Sequence, residues 1–122
     1  MWKFTPIPLA DAFVIDLPAF YDDRGSFVKT FHETTLAQYG ISFDLKESYF
    51  SLSKKDVIRG MHFQTPPHQH AKVVFCPQGA ILDVIVDLRK GSATYGHYFA
   101  QELSAENHKA YYSRGVKIKI TT

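Results

Sequence analysis

The sequence predicts a single all-β domain, a sandwich or barrel of short strands. Short runs of apolar, β-branched and aromatic residues recur at about 8–12-residue spacing between turn signals. Aromatic residues make up 15% of the 122 residues, with ten Phe and seven Tyr, a bias that suits pleated strands. Only one run, Thr34 to Tyr39, has the punctuation of a helix, with Thr34 or Thr35 as its cap and Gly40 as its stop. At about one to two turns, such a helix decorates a core and does not build one.

The elements are expected in this order. Ala12 to Leu17 is apolar and β-branched, a short strand. Pro18 and the run Tyr21-Asp22-Asp23-Arg24-Gly25 mark a turn, after which Ser26 to Phe31 resumes as strand. Beyond the helix come Leu45 to Leu52, Val57 to Gln64, Ala71 to Cys76, Ala80 to Leu88, Tyr95 to Leu103 and Lys109 to Tyr112. Turns fall at Lys54-Lys55-Asp56, Pro66-Pro67, Pro77-Gln78-Gly79, Lys90-Gly91-Ser92 and Ser104-Ala105-Glu106-Asn107. In the run Ala80 to Leu88, a period of two puts Leu82, Val84, Val86 and Leu88 on one face and Asp83, Ile85 and Asp87 on the other. The two carboxylates either meet solvent or point into the barrel mouth towards Lys72 or His62, and the pattern leaves both open.

Bulk properties narrow the function classes. The length fits one domain able to bury a core without disulfides or metal. A hydrophobic share of 45% excludes global disorder, and a formal charge of +2 gives no case for nucleic-acid or membrane binding. No run reaches the roughly 20 apolar residues of a membrane helix. The first residues, Met1-Trp2-Lys3-Phe4-Thr5-Pro6, do not read as a signal peptide. The single cysteine, Cys76, cannot form an internal disulfide, reads as a small buried hydrophobe, and fits a reducing compartment. A cytoplasmic protein is expected.

The chemistry concentrates in Val57 to Lys72. Arg59, His62 and Lys72 stand among strand-forming apolar residues. An imidazole takes a proton near neutral pH, a lysine holds developing negative charge, and an arginine forks onto phosphate. Proton abstraction beside a carbonyl, on a phosphate-tagged substrate, needs all three. The competing reading is a surface strand with three unrelated polar residues. A strict period of two separates Arg59 and His62 onto opposite faces. Either a bulge intervenes near Gly60 or the two serve different edges of a pocket.

Four blocks carry a family resemblance: Asp23-Arg24-Gly25-Ser26-Phe27; Val57 to Gln64 with Pro66-Pro67 and Ala71-Lys72; Leu82-Asp83-Val84 with Val86 to Ser92; and Glu102 to Asn107. In these the chain resembles the dTDP-4-dehydrorhamnose 3,5-epimerases, sugar-nucleotide epimerases of the cupin-like jelly-roll class. The resemblance implies a jelly roll and inversion at carbons 3 and 5 of a dTDP-4-keto-6-deoxy sugar without a cofactor. His62 matches the family's base, and Lys72 the lysine that stabilises the enolate oxygen. Arg59 and Arg24 match arginines that hold the pyrophosphate or nucleotide, and Phe27 falls where an aromatic contacts it. Because the family's counterpart of Arg24 reaches into a neighbouring site, a homodimer built through N-terminal strands is implied.

Three departures from the family pattern stand out. Lys29 replaces a usual glutamate, and Glu47-Ser48-Tyr49 replaces a Gln-x-Asn nucleotide contact, so substrate preference is open at both. Tyr49 either stacks on a thymine or is an exposed strand tyrosine. After Gly115 the family continues with Phe-Ala-His-Gly-Phe, whereas this chain reads Val116 to Thr122, with Ile118 at the position of the family's histidine. The family's acid tyrosine and the aspartate that orients its base fall past residue 122. The jelly roll is therefore expected to be incomplete at its C-terminal end, with an open edge. Alternatively, an amphipathic last strand closes that edge with Val116, Ile118 and Ile120 on one face. Weak dTDP binding and proton exchange with little epimerised product are expected, with Tyr111 or Tyr112 the candidates for a substitute acid. Rival readings are a related 3-epimerase or ketoisomerase, a non-catalytic sugar-nucleotide binding domain, and a metal-binding cupin using His68 and His70. The last lacks further ligands in Lys72 to Gly79.

Overall fold

A computed structural model of the chain describes residues 1–62, 71–114 and 116–121; at 61–62, 114 and 116–121 the description is of the backbone. The order is β1 (Lys3–Pro6), β2 (Phe13–Asp16), β3 (Ala19–Asp22), β4 (Gly25–Val28), α1 (Glu33–Gln38), β5 (Ile58–His62), β6 (Ala71–Phe75), β7 (Ala80–Val86), β8 (Tyr98–Ser104), β9 (Lys109–Arg114) and β10 (Val116–Thr121). Two four-stranded sheets, ordered β1-β2-β9-β6 and β5-β10-β7-β8, accompany the separate β3-β4 hairpin. Among the described residues the strand pairings are all antiparallel. The architecture is an all-β, cupin-like jelly roll.

Apolar alternation decides how the sheets pack. On β9, Tyr111 and Tyr112 are both buried but face opposite ways. Tyr111 joins Val14, Ile85 and Leu103 in a core between the two sheets, with Val74, Ile81 and Phe99 packed against it. Tyr112 joins Ile15, Leu17, Leu36, Ile41 and Ala110 in a second core on the other face of the first sheet. The helix and the aromatic residues Phe4, Phe13, Phe31 and Phe43 cover that second face.

Local chemistry sets the connections. Asp22 and Gly25 pair across the β3–β4 turn, and Gly25 has φ +131°, a region open to glycine. The Arg24 N–H donates to Asp22 Oδ1 at 2.8 Å, an Asx-type closure of that turn. The helix starts one residue earlier than expected. His32 occupies its cap position without a capping bond, although its Nδ1 lies 2.7 Å from Thr35 Oγ1. Gly40 stops the helix as expected: at φ +76° its N–H donates to Ala37 O, and the Ile41 N–H donates to Leu36 O.

Several expectations need correction. Leu45 to Leu52 is not a strand; residues 41–54 have no regular structure, and Tyr49, Phe50 and Leu52 are 73%, 90% and 84% exposed. β-competent composition is not enough where no partner strand lies alongside. β1 was not expected, because Lys3–Pro6 has no apolar alternation; it takes an edge position, which tolerates Pro6. β8 begins at Tyr98, since Ala93 to Gly96 form turns. The last strand does not close an edge. β10 lies inside its sheet between β5 and β7. Cys76 is a free, half-buried thiol packed against the first core, and its Sγ donates to Gln78 O. Among the described residues no helix is long and apolar enough to cross a membrane.

Candidate active site

The space between the sheets has a polar floor. On β7 the alternation leaves Asp83 at 0% and Ile85 at 2% exposure. The two carboxylates Asp83 and Asp87 therefore lie inside, not in solvent, although they do different work. Asp87, at 4%, accepts from the Arg89 N–H and Nε and from the hydroxyls of Ser92 and Thr94. It is an anchor for the loop after β7. Asp83 lies in register with Gln101 of β8, in the row next to Ile85 and Phe99.

The facing sheet contributes Tyr111 and Ser113 of β9. Both are buried, and neither hydroxyl has a hydrogen-bond partner among the described residues. Burial first, and then the Asp83 carboxylate, push the Tyr111 hydroxyl well above the ordinary phenol range. A sealed phenol of that kind is a poor proton donor to a substrate. Tyr112 faces the second core on the opposite side of its sheet. Neither tyrosine is therefore suited to be a substitute acid.

Lys72 of β6 is half-buried and in register with Ser113, so it shares the inner face with Val74 and Tyr111. Burial of the alkyl stem with the ammonium at a pocket wall is how lysine meets a polar ligand. Across the barrel, β5 pairs with β10: Arg59 opposes Lys119, and His62 opposes Lys117. Three steps along β5 thus match two along β10, a bulge at Gly60-Met61, with Gly60 at φ +137°. Of the two alternatives left open by the spacing, a bulge near Gly60 is the one present, and it cancels the odd spacing. Arg59 and His62 now occupy successive same-face positions of the ladder, and through β10 those rows continue to Asp83 and Ile85. The Arg59 guanidinium is exposed and donates to Ser53 Oγ at 2.7 Å and to Leu52 O at 3.2 Å.

The remaining expected site residues lie apart from this face. Arg24 is at the tip of the β3–β4 hairpin with its side chain 90% exposed, and its guanidinium is held by Asp22 at 2.5 Å. Phe27 is 65% exposed on the same hairpin, its ring 6.4 Å from that of Phe20. Lys29 is exposed, and its N–H donates to Pro18 O. Glu47 and Tyr49 are exposed in the irregular segment before β5. Two surface recesses, one beside Asp87 and one along Gly40 to Asp44, are lined by none of the expected residues. His68 and His70 lie outside the described residues.

The fold is a jelly roll with Lys72 on the inner face of one sheet and Arg59 and His62 on a bulged strand of the other. The family model described as dTDP-4-dehydrorhamnose 3,5-epimerase matches residues 6–116. The chain belongs to that family. It is 36% identical over 111 residues to dTDP-4-dehydrorhamnose 3,5-epimerase of Methanothermobacter thermautotrophicus, covering 91% of this chain and 60% of that protein. It is 36% identical over 118 residues to dTDP-4-dehydrorhamnose 3-epimerase of Streptomyces niveus, covering 95% of this chain and 52% of that one. The crystal structure of the Bacillus anthracis 3,5-epimerase with TDP and PPi bound superposes with a TM-score of 0.91 at 34% identity, covering 100% of this chain and 71% of that one. The chain thus spans between half and two thirds of the length of these two curated relatives.

Proposed function

We propose that this chain binds a dTDP-4-keto-6-deoxy sugar and inverts it at carbons 3 and 5, in deoxysugar biosynthesis of the rhamnose type. The observation that carries the reading is the placement of Lys72 on the inner wall beside Ser113 and Tyr111. The ketone acidifies the neighbouring C–H bonds. His62 takes the proton, the electron pair moves onto the ketone oxygen, and the Lys72 ammonium stabilises the resulting enolate. A proton returned from the other face of the ring completes inversion. Arg59, Arg24 and Phe27 hold the nucleotide, and Lys29, Glu47 and Tyr49 tune its preference. The reaction uses no cofactor. The reading places the protein in the cytoplasm, as a homodimer in which Arg24, on its exposed hairpin, serves a neighbouring site.

The test is NMR of dTDP-4-keto-6-deoxyglucose in heavy water with the 122-residue polypeptide. Deuterium should enter the ring next to the ketone faster than epimerised product accumulates, because neither Tyr111 nor Tyr112 is placed to return a proton. His62→Asn and Lys72→Met should each slow exchange by roughly 10²–10⁴-fold. Full-rate inversion at both carbons would contradict the predicted imbalance, and exchange unaffected by either variant would defeat the assignment of base and lysine. The similarity to a 3-epimerase favours a second reading, inversion at carbon 3 alone, which exchange confined to that carbon would establish.

A further inference from the structure

The β3–β4 hairpin stands apart from both four-stranded sheets. At its base Val28 packs on the second core, and the Lys29 N–H donates to Pro18 O at 3.0 Å. Beyond the base its residues are exposed. A lone two-stranded ribbon is marginal in water, so burial does little to fix the direction of such an arm. Tyr21 reaches back from it. The Tyr21 hydroxyl is hydrogen-bonded to His108 Nε2, with the two ring centroids 5.9 Å apart. Opposed residues of an antiparallel pair share a face. Ala19, Tyr21, Ser26 and Val28 therefore form the face turned to the body, and Phe20 and Phe27 the face turned away.

His108 is a fixed point on that body. The turn before it, between β8 and β9, is locked by Asn107. Asn107 Oδ1 accepts from the Ser104 and Lys109 N–H groups, each at 3.0 Å, and its Nδ2 donates to Glu102 O at 2.8 Å. His108 has φ +52°, a left-handed backbone that is uncommon for a residue with a side chain and persists where the surroundings impose it. Its N–H donates to Ser104 O, and its carbonyl accepts from the Leu17 N–H at 2.9 Å, just before the chain enters β3. One residue thus grips the entry of the hairpin by its carbonyl and the arm itself by its ring. In either tautomer, and when protonated, the imidazole nitrogen and the phenol keep a donor and an acceptor between them, so the bond survives titration of the ring.

We propose that His108 is a positioning residue for the β3–β4 hairpin: through Tyr21 it clasps the arm in the orientation from which Arg24 and Phe27 meet the nucleotide. The inference rests on the reading of the chain as a dTDP-sugar binder, and it deepens that reading with two residues that do not themselves touch the ligand. The clasp holds the body-side face of the ribbon and leaves the face of Phe27 and the tip at Arg24 free.

The experiment combines amide hydrogen exchange with calorimetric titration by dTDP, on the 122-residue polypeptide and its variants Tyr21→Phe and His108→Asn. Phenylalanine removes only the hydroxyl of an exposed residue, so this variant should fold. Asparagine tolerates the left-handed backbone but is too short to reach Tyr21. Each variant should speed exchange across β3 and β4 by about three- to tenfold, the worth of one net hydrogen bond, and leave β2 and β9 unchanged. Each should weaken dTDP binding within the same range, because only the clasped fraction is competent to bind. The double variant should be no worse than the single ones, and His108→Gln, which can still bond the hydroxyl, should recover most of the affinity. Unchanged exchange in the hairpin, or unchanged dTDP affinity despite faster exchange, would overturn the proposal and leave the wider reading standing. Faster exchange through β2 and β9 as well would make the contact merely structural and would also overturn it. Failure of the wild-type polypeptide to bind dTDP at all would overturn the wider reading, and the proposal with it.

Discussion

Asp87 illustrates how a buried charge can serve the fold without touching the site. Its side chain is 1% exposed and accepts from Arg89 Nε at 3.0 Å, Ser92 Oγ at 2.6 Å and Thr94 Oγ1 at 2.5 Å. The same guanidinium donates to Ala10 O at 2.7 Å, which ties the loop after β7 to the link between β1 and β2. Burial alone would raise the Asp87 carboxyl. The bonds from Arg89, Ser92 and Thr94 outweigh that and hold it well below the usual carboxylate range. A lowered native pKa means that the unfolded chain binds the proton more readily. The stabilisation is therefore complete above the unfolded value of about 3.9 and is lost as the pH falls below it towards the native value. Asp87→Asn should cost about 2–3 kcal/mol at neutral pH, because it strips the charge from a bonded, desolvated site and leaves Arg89 without its counter-ion. Urea titrations at several pH values would check this. The gap between wild type and variant should hold down to about pH 4 and shrink below it. A gap under about 0.5 kcal/mol, the size of an ordinary surface substitution, would mean that the network contributes little.

At the scale of elements, α1 is held by packing and not by propensity. A helix of six residues without a capping bond cannot persist alone. It has one buried anchor, Leu36, 2% exposed in the second core with Ile15, Ile41 and Tyr112. Leu36→Ala should cost about 3 kcal/mol, from lost transfer energy and the cavity left behind, whereas Glu33→Ala on the exposed face should cost only tenths. Thermal melts of the two variants compare them directly, and equal shifts would show that the helix is not anchored as described. The helix also marks where the sequence is legible. Its stop at Gly40 could be read, because an αL glycine has few other uses; its start could not, because His32 makes no capping bond. The strands Ala71–Phe75 and Ala80–Val86 could be read from β-branched runs between turn residues. The Gly60 bulge was only half legible: the odd spacing of Arg59 and His62 allowed either a bulge or two separate pocket edges, and the register of β5 against β10 decides for the bulge. The inward turn of Asp83 was not legible, because both faces of β7 carry apolar residues. Nor was the lack of a ladder at Leu45 to Leu52, since pairing depends on neighbours that local composition does not specify.

At the scale of the whole molecule, the apolar surface is uneven. Leu45, Tyr49, Phe50 and Leu52 crowd one irregular segment with 52%, 73%, 90% and 84% of their surfaces exposed, and Ile58, at the start of β5, is 70% exposed. On the hairpin, Phe20, Tyr21 and Phe27 are 57%, 68% and 65% exposed. Single exposed apolar residues are ordinary, but runs of them on a lone copy invite association. The irregular segment is strand-competent and unpaired along its backbone ladder, which is the condition under which a second copy can add a strand. A homodimer covering this segment would explain why a Leu/Tyr/Phe-rich run has no partner strand among the described residues. Sedimentation equilibrium should therefore give a dimer at micromolar concentration. Phe50→Asp and Leu52→Asp should shift it to monomer, since a carboxylate buried in such an interface costs several kcal/mol. Both positions are exposed within the single chain, so the substitutions should leave its own melting little changed. A wild-type chain that stays monomeric and well behaved at high concentration would refute the dimer. A dimer indifferent to both substitutions would move the interface elsewhere, with the Phe20 and Phe27 hairpin the next surface to test.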